Sequence, residues 1–378
     1  MAFFSKFFGN REPRALGIDI GSSAIKVVQL KKKNGQAILE TYGELALGPY
    51  GGLSVGQAVQ LPTDKISAAL ADLMKEKEVN VTTKSSGLSI PFSSSLMAVI
   101  EMPEVAQKEL AIMVPIEARK YIPVPISEVM LDWSVIPRSD VRVESVAEEL
   151  PQEGGGFAAP AAAMPKIDVL MVAIHKETIA RFQEIVSSAG LDAGFFEIEI
   201  FATSRAVMDE GLRPVMIMDM GAATTKLYII ERGIVRASHT INRGSQDITS
   251  NLSKSLNMTP EQAEVMKREV GAAGDDKSVN DVIALVLDYI FAEANTVLLD
   301  YEQRYNKAVS KTILVGGGAA LKGLLELAKA NFKTEAELAE PFSKVAAPAF
   351  LEKILRETGP EFAVAIGLAL RKLAEEEE

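Results

Sequence analysis

Two stretches of the chain follow one pattern, LGIDIGSSAIK at residues 16–26 and MIMDMGAATTK at residues 216–226. Aspartate, glycine and lysine occupy matching positions in both. Each loop joins two strand-like apolar runs, and each second run ends at a turn signal, Asn34-Gly35 or Arg232-Gly233. The pattern predicts two similar β-hairpins whose tips face one ligand. Glycine loops rich in backbone N–H groups and hydroxyls favour an anion, most simply a nucleoside triphosphate.

The composition argues against several classes of protein. The chain has 378 residues, enough for two or more domains, and its 48% hydrophobic and 24% charged residues are typical of a globular protein. Its net charge of −11 disfavours nucleic-acid binding. Cysteine is absent, which fits a reducing compartment. The only histidines are His175 and His239, so we do not expect a histidine-based zinc site or catalytic triad.

The N-terminus leaves the relationship to a membrane open. No stretch reaches the roughly 20 apolar residues that a membrane span needs, so we expect no span. Phenylalanines 3, 4, 7 and 8 would share one face of a short helix, and the segment lacks the features of a secretory signal. Either segment 1–14 contacts a membrane surface or a partner, or it is a tail that packs on its own domain or is disordered.

Helix and strand signals divide the chain further. Thr63 is the expected N-cap of a helix over residues 64–77, and Thr259 caps another helix that begins with proline. A long amphipathic helix is predicted over residues 279–304. Residues 92–189 have the pattern of a small α+β module inserted into the first domain. Within it, residues 147–165 are rich in glycine, alanine and proline and predict a mobile loop.

The hairpin loops carry residue types that suit phosphate binding. Ser22, Ser23, Thr224 and Thr225 offer hydroxyl groups to phosphate oxygens, and Lys26 offers a positive charge. The two loop aspartates, at 19 and 219, would converge on a hydrated Mg²⁺, which suits carboxylates. The alternative is that both loops are only tight turns, because aspartate and glycine favour turns without any ligand.

Two further features concern the rest of a nucleotide. Gly316-Gly317-Gly318 follows a strand-like run and precedes a helix, which suits a flat ligand lying against bare backbone. The alternative is a flexible connector. Glu264 and Lys267 share one helix face, but most such pairs are solvated surface pairs.

At these residues the chain resembles the ATPase superfamily that contains actin, heat-shock chaperones and sugar kinases. Its phosphate loops correspond to residues 19–26 and 219–226, and its adenosine loop corresponds to residues 316–323. The two connecting helices correspond to residues 199–208 and 362–370. In that superfamily a glutamate and a lysine of subdomain 2B contact the ribose and base, and Glu264 and Lys267 fall at the matching place. The implied nucleotide-binding residues are Asp19, Gly21, Ser22, Ser23, Lys26, Asp219, Gly221, Ala222, Ala223, Thr224, Thr225, Glu264, Lys267, Gly316, Gly317, Gly318, Ala319 and Leu321.

The branch that the chain resembles most is the PilM family of type IV pilus assembly. The features that carry this resemblance are the phenylalanine-rich start, the first glycine loop, Tyr121-Ile122-Pro123 and the apolar run at residues 362–370. The resemblance implies an actin-like, ribonuclease H-like α/β fold, duplicated in two domains, with an FtsA-type 1C subdomain. The implied subdomains are 1A (15–91, 190–207 and 358–378), 1C (92–189), 2A (208–250 and 311–357) and 2B (251–310).

The same resemblance implies cofactors, partners and location. ATP or ADP with Mg²⁺ would lie between the two domains, with Asp19 and Asp219 near the metal. A groove between subdomains 1A and 1C would capture the N-terminal peptide of PilN, using strands within residues 88–101 and 167–174. Other pilus inner-membrane and motor proteins are further expected partners, and self-association is left open. The location would be cytoplasmic and peripheral to the inner membrane.

The chain also departs from active members of the superfamily. The second loop carries Ala222-Ala223 where active members are richer in glycine, and no glutamine or histidine corresponds to the residue that positions water. Glu199 is the one candidate catalytic residue, and the alternative is a structural or solvated glutamate. We therefore expect ATP hydrolysis to be slow or absent. Two other functions stay open, a small-molecule kinase of the same superfamily and an FtsA-like filament-forming protein.

Overall fold

The computed structural model describes residues 12–136, 165–209 and 211–376. Its strands are β1 Arg14–Ile20, β2 Ala24–Lys33, β3 Gln36–Ala46, β4 Ser85–Ile90, β5 Ser95–Pro103, β6 Val129–Ile136, β7 Lys166–His175, β8 Asp192–Ile198, β9 Val215–Met220, β10 Thr225–Glu231, β11 Ile234–Ile241, β12 Lys311–Val315 and β13 Glu335–Leu338. Its α-helices are α1 Thr63–Lys75, α2 Gln107–Ala118, α3 Lys176–Ser188, α4 Glu199–Val207, α5 Ser245–Ser255, α6 Pro260–Val270, α7 Lys277–Tyr305, α8 Leu324–Asn331, α9 Glu352–Thr358 and α10 Ala363–Glu375. The expectations for the N-terminal phenylalanines and for residues 147–164 of the predicted loop lie outside the described residues.

The chain divides into two compact units. The smaller is Ser95–Lys176, and the larger combines Met1–Ser94 with Glu177–Glu378. The smaller unit falls within the α+β module predicted at residues 92–189. The bounds of the four subdomains and of the N-terminal segment stay a prediction.

The larger unit contains two five-stranded sheets of one design. The first has the strand order β3-β2-β1-β4-β8, and the second has the order β11-β10-β9-β12-β13. In each sheet three antiparallel strands are joined by hairpins, and two parallel strands follow. Asp19 pairs with Lys26 across the first hairpin tip, and Asp219 pairs with Lys226 across the second. The two similar hairpins predicted from the repeated pattern are thus confirmed.

The helices α4 and α10 pack closely because two positions lack a side chain. A Cβ atom on Gly17 would lie 1.9 Å from the carbonyl oxygen of Ala365, so α10 rests directly on β1. A Cβ atom on Gly367 would lie 1.9 Å from the carbonyl oxygen of Ala202, so α10 and α4 also meet through backbone. The second contact places α10 against the first turns of α4, whose first residue is Glu199.

The core beside the second sheet is built around the 29-residue helix α7. Ile283, Ile290 and Phe291 of α7 are buried in one cluster with strand residues such as Met218 and Leu227. By length and composition alone, this helix is apolar enough to cross a membrane. The expectation that no stretch reaches that limit was therefore wrong. The buried side of α7 serves instead as one wall of this core.

The two predicted helix starts have different outcomes. Thr259 is the N-cap of α6, as predicted, and its hydroxyl accepts a hydrogen bond from the N–H of Gln262. In addition, Oε1 of the Gln262 side chain accepts from the N–H of Thr259. For α1 the prediction was wrong, because the N-cap is Pro62 and Thr63 is already the first helical residue. A proline before a helix has extended backbone geometry that suits the N-cap, even though its side chain donates and accepts nothing.

The smaller unit has a three-stranded sheet with the order β5-β7-β6. Helix α2 packs on it through Leu110 and Val114, which are buried with Ile100 and Val169. Because β7 lies in the middle, both of its edges are paired. Within the described residues, no strand pairs with the outer edges of β5 and β6.

Candidate functional site

A cavity of about 600 Å³ lies at the tips of the two similar hairpins. Most of the predicted site residues line it: Asp19, Ser22, Ser23, Lys26, Glu199, Asp219, Gly221, Ala222, Thr224, Glu264, Lys267, Gly316, Gly317, Gly318 and Leu321. Four predicted residues do not line it: Gly21, Ala223, Thr225 and Ala319. The structure thus brings all three glycine loops and the Glu264–Lys267 pair to one cavity.

Two of the four residues outside the cavity wall have evident structural tasks. The N–H of Gly21 donates to the carbonyl oxygen of Ala24 at 3.0 Å, which closes the first hairpin turn. The hydroxyl of Thr225 donates to the carbonyl oxygen of Arg243 at 2.8 Å, and the residue is fully buried. Its hydroxyl therefore holds the chain behind the second loop instead of facing the cavity.

The second loop is held from behind by the start of α5. The N–H of Ser245 donates to the carbonyl oxygen of Gly221 at 3.0 Å, and the N–H of Gln246 donates to that of Ala222 at 2.9 Å. Gly244 is required here, because a Cβ atom would lie 2.4 Å from the Ala222 oxygen. These two bonds hold the loop against the start of α5, while Gly221, Ala222 and Thr224 line the cavity.

The third glycine loop packs tightly on the second hairpin. A Cβ atom on Gly316, whose φ is +85°, would lie 2.5 Å from Oδ1 of Asp219. A Cβ atom on Gly318 would lie 2.4 Å from Cγ of Met220. At Gly317 the nearest atom is Oε2 of Glu361, 3.7 Å away. Two of the three glycines thus permit packing, while Gly317 leaves open space at the cavity wall.

Glu199 has both carboxylate oxygens occupied. Oε1 accepts from the N–H of Phe92 at 2.6 Å, and Oε2 accepts from Nζ of Lys226 at 2.7 Å. The side chain is 10% exposed. These contacts support the interpretation of Glu199 as a structural residue, because they hold its carboxylate between the backbone of Phe92 and the ammonium of Lys226.

Lys226 lies between two carboxylates. Besides Glu199, its ammonium faces Oδ2 of Asp219 at 3.4 Å. Burial alone would lower the pKa of Lys226, but Asp219 and Glu199 outweigh it and raise the pKa above its usual value. The sequence analysis did not place Lys226 in the site, although its match to Lys26 in the repeated pattern was an available signal.

The first loop has its own buried charges. Oδ1 of Asp19 accepts from the hydroxyl of Ser89 at 2.8 Å. Burial and the nearby Glu199 raise the pKa of Asp19 to about 6, with Lys26 opposing them. The ammonium of Lys26 lies 3.3 Å from Glu44 and 3.8 Å from Glu361. Burial lowers the pKa of Lys26, but these two carboxylates raise it overall, so Lys26 stays charged at the cavity wall.

The Glu264–Lys267 pair is part of a buried network. The Lys267 ammonium lies 2.6 Å from Oε2 of Glu264 and 3.0 Å from the hydroxyl of Thr249. Oε1 of Glu264 accepts from Arg268 at 2.7 Å. Burial lowers the pKa of Lys267. Burial would raise the pKa of Glu264, but the attraction of Lys267 outweighs it, and the pKa of Glu264 is lowered. With side chains only 9% and 14% exposed, the two residues are not the solvated surface pair that statistics favour.

A loop between β3 and α1 crosses to the helices of the second sheet. Ser54 bonds to Glu261 of α6, and the N–H of Ala58 donates to Oε1 of Gln246 of α5 at 2.8 Å. Val55 and Gly56 of this loop line the cavity. The sequence showed only a loop rich in glycine and proline, because contacts between distant segments leave no local signal.

The carboxylates of Asp19 and Asp219 suit Mg²⁺ only when a nucleotide adds further ligands. Asp19 and Asp219 both line the cavity, and Mg²⁺ is commonly bound by one or two carboxylates plus phosphate oxygens and water. Among the residues that the structure describes, no group of three or more histidine, aspartate or glutamate side chains is arranged to hold a metal by itself. Backbone-lined loops, Lys26 and the Lys267 network supply the groups that a nucleotide needs.

Comparisons with known proteins agree with this geometry. The family model for the type IV pilus assembly protein PilM matches residues 17–150 and 157–373. A solved PilM-PilN type IV pilus biogenesis complex contains a chain 26% identical to this one, with a TM-score of 0.76 over 95% of this chain and 98% of that chain. The cell division protein FtsA of Streptococcus pneumoniae serotype 2 (strain D39 / NCTC 7466) is 23% identical over 360 residues, which cover 88% of this chain and 76% of the relative.

A solved structure with lower sequence identity is also similar to this chain in fold. MreB 5 of Spiroplasma citri bound to AMPPNP is 11% identical, with a TM-score of 0.51 over 96% of this chain and 97% of that chain. These structures share an actin-like α/β fold, here built on two mixed five-stranded sheets. Because the family model matches nearly the whole chain, this protein belongs to the PilM family of type IV pilus assembly proteins.

Proposed function

We propose that this chain is an ATP-binding scaffold of type IV pilus assembly. The observation that carries the proposal is the convergence of three glycine loops and the Glu264–Lys267 network on one cavity of about 600 Å³. Loops of this kind expose backbone N–H groups to phosphates, and the bare backbone at Gly317 leaves room for a flat base. The bound nucleotide is ATP or ADP.

Mg²⁺ is the proposed companion of the nucleotide. Asp19 and Asp219 would hold its water shell, and the ion would supply positive charge to the phosphates. That charge is needed because the cavity is itself acidic. Its lining contains six carboxylates, Asp19, Glu44, Glu199, Asp219, Glu264 and Glu361, against four cations, Lys26, Lys226, Lys267 and Arg268.

The proposed role of the nucleotide is to set a conformation, with slow hydrolysis or none. Both oxygens of Glu199 already accept hydrogen bonds, from Phe92 and Lys226, which hold its carboxylate in a structural position. A ligand that contacts both hairpins and α6 favours the arrangement in which those contacts are made together. The binding energy of the nucleotide would then set the conformation of the partner-binding surface, without ATP hydrolysis.

The proposed partner is the N-terminal peptide of PilN, and the supporting observation is that the related solved structure is a PilM-PilN complex. The Ser95–Lys176 unit would be the FtsA-type 1C subdomain. Of the strands expected to form the peptide site, β7 has both edges paired, whereas the outer edge of β5 is open within the described residues. An extended peptide can add to such an edge through main-chain hydrogen bonds. The protein would lie in the cytoplasm at the inner membrane, linking PilN to the pilus motor.

Two titrations test this proposal. Calorimetry with ATP and Mg²⁺ should give saturable binding with one nucleotide per chain. A fluorescent peptide from a PilN N-terminus should bind with an affinity that changes when MgATP is present. Absence of nucleotide binding would reject the cavity assignment, and absence of peptide binding in both conditions would reject the pilus partner while leaving the cavity assignment standing.

A further inference from the structure

The outer face of α7 carries a line of six exposed residues, four of them apolar and two polar, and this line is called the seam below. Leu285 is 70% exposed, Tyr289 50% and Leu299 49%. Ala292, Thr296 and Gln303 are also exposed. These six residues are spaced alternately by four and three positions along the helix. That spacing places them in one line, which is the arrangement of a and d residues in a coiled coil.

The positions beside the seam are acidic. In the heptad numbering set by the seam, the flanking e and g positions are Val286, Asp288, Glu293, Asn295, Asp300 and Glu302. Four of these six are carboxylates and none is basic, while Val286 is buried toward the core. Glu293 also lies 3.3 Å from His239 of β11. The seam therefore runs between two rows that present negative charge.

This charge pattern favours one kind of binding partner for the seam over others. A second copy of α7 would place carboxylates against carboxylates in either orientation, because e faces g in parallel pairs and e faces e in antiparallel pairs. Like charges across an interface are unfavourable. An anionic membrane surface is disfavoured for the same reason. A helix with lysine or arginine at its flanking positions meets both the apolar seam and the acidic rows.

We propose that the outer face of α7 is a docking site for an amphipathic helix of another protein, with apolar a and d residues and basic flanks. The seam from Leu285 to Gln303 spans 18 residue steps, about 27 Å of helix, which is enough for about two and a half heptads. None of the six seam residues lines the nucleotide cavity. The site is therefore independent of the nucleotide proposal.

The first experiment uses a synthetic helical peptide of about three heptads, with leucine at a and d and lysine at e and g. Its fluorescent form should bind the full chain, measured by anisotropy, and an otherwise identical peptide with glutamate at e and g should not. Replacing Leu285→Glu together with Leu299→Glu should weaken binding by about tenfold or more. The matched control is Leu212→Glu, because Leu212 is 72% exposed and lies outside α7, and this variant should bind as the wild type does.

The second experiment tests the flanks. Asp288→Lys together with Asp300→Lys should reverse the preference, so that the glutamate peptide now binds better than the lysine peptide. Each variant should fold, because every substituted side chain is exposed. Circular dichroism checks this. Equal peptide binding by the wild type and the Leu285→Glu, Leu299→Glu variant would overturn the proposal. So would self-association, or binding to vesicles, that the same two substitutions abolish.

Discussion

The ammonium of Lys226 donates a hydrogen bond to Oε2 of Glu199 at 2.7 Å, and this bond joins the second hairpin tip to the first residue of α4. The pair is nearly sealed from water, with side chains 15% and 10% exposed. It lies beside Asp19 and Asp219 in the wall of the cavity. The bond thus connects two parts of the site that are 27 residues apart in sequence.

Removing the ammonium should strongly destabilise the protein. In Lys226→Met, Glu199 and Asp219 lose their shared cation, and breaking a buried ion pair on one side costs about 3–5 kcal/mol in the free energy of unfolding. Urea unfolding measures this loss. The control is Lys344→Met, whose pair with the exposed Asp209 at 2.8 Å should contribute less than about 1 kcal/mol. Equal losses in the two variants would contradict the role assigned to Lys226.

Two adjacent glycines should respond differently to the same substitution. In Gly317→Val the fold should keep its stability, because a Cβ atom at this position would lie 3.7 Å from its nearest neighbour, Oε2 of Glu361. The affinity for ATP should fall about tenfold or more, because the new side chain enters the cavity. In Gly318→Val the clash with Met220 should lower the free energy of unfolding by about 1–3 kcal/mol. Calorimetry and urea unfolding on both variants check this. A stable Gly317→Val protein with unchanged ATP affinity would remove the third loop from the site.

Stability should fall as the pH rises through the range in which Asp19 titrates. Its pKa is about 6 in the folded chain against the ordinary 3.8, because burial and Glu199 disfavour the charged form. Between about pH 4 and 6 the folded chain therefore holds a proton on Asp19 that the unfolded chain has lost, so the contribution of Asp19 to the free energy of unfolding declines with rising pH and is constant above that range. The full difference is about 3 kcal/mol.

The Asp19→Asn variant isolates this effect. Asparagine can still accept from Ser89, but it carries no charge to bury. Without metal or nucleotide, Asp19→Asn should match the wild type near pH 4 and exceed it in stability near pH 7, by up to about 3 kcal/mol. Unfolding curves at several pH values measure the difference, and a gap that is the same at both pH values would show that Asp19 does not cause the slope.

Mg²⁺ should bind tightly only when nucleotide is present. Among the described residues no cluster of three or more suitable side chains can hold a metal alone, whereas Asp19 and Asp219 suffice once phosphates add ligands. Calorimetry should therefore detect no tight Mg²⁺ binding to the free chain and a clear gain in ATP affinity with Mg²⁺. Asp219→Asn should reduce that gain. Tight metal binding by the nucleotide-free chain would contradict this arrangement of ligands.

Hydrolysis should be slower than about one turnover per second, near the low end of typical enzymes. The reason is that Glu199, the one candidate catalytic residue, is held in place by its bonds to Phe92 and Lys226. A phosphate-release assay with MgATP measures the rate. A faster rate that Glu199→Gln abolishes would restore Glu199 as the catalytic residue.

Local chemistry made the hairpins predictable from the sequence. The Asp-x-Gly turns, the Asn34-Gly35 and Arg232-Gly233 turns and the apolar runs act over a few residues, and the two sheets contain both predicted hairpins. The capping of α6 by Thr259 was predictable for the same reason. At α1 the same reasoning failed by one residue, because Pro62 and Thr63 are both compatible with a helix start and local preference cannot choose between them.

By itself, then, the sequence determined the repeated hairpins, the glycine loops and the family resemblance, since each depends on neighbouring residues. Only the tertiary structure decided that Lys226 bonds to Glu199, that the Glu264–Lys267 pair is buried, and that α7 covers a core with one face and exposes a seam on the other. An apolar helix looks alike whether it lies in a core, in a membrane or against a partner. What separates these cases is the burial of each face, and burial depends on segments that are distant in the chain.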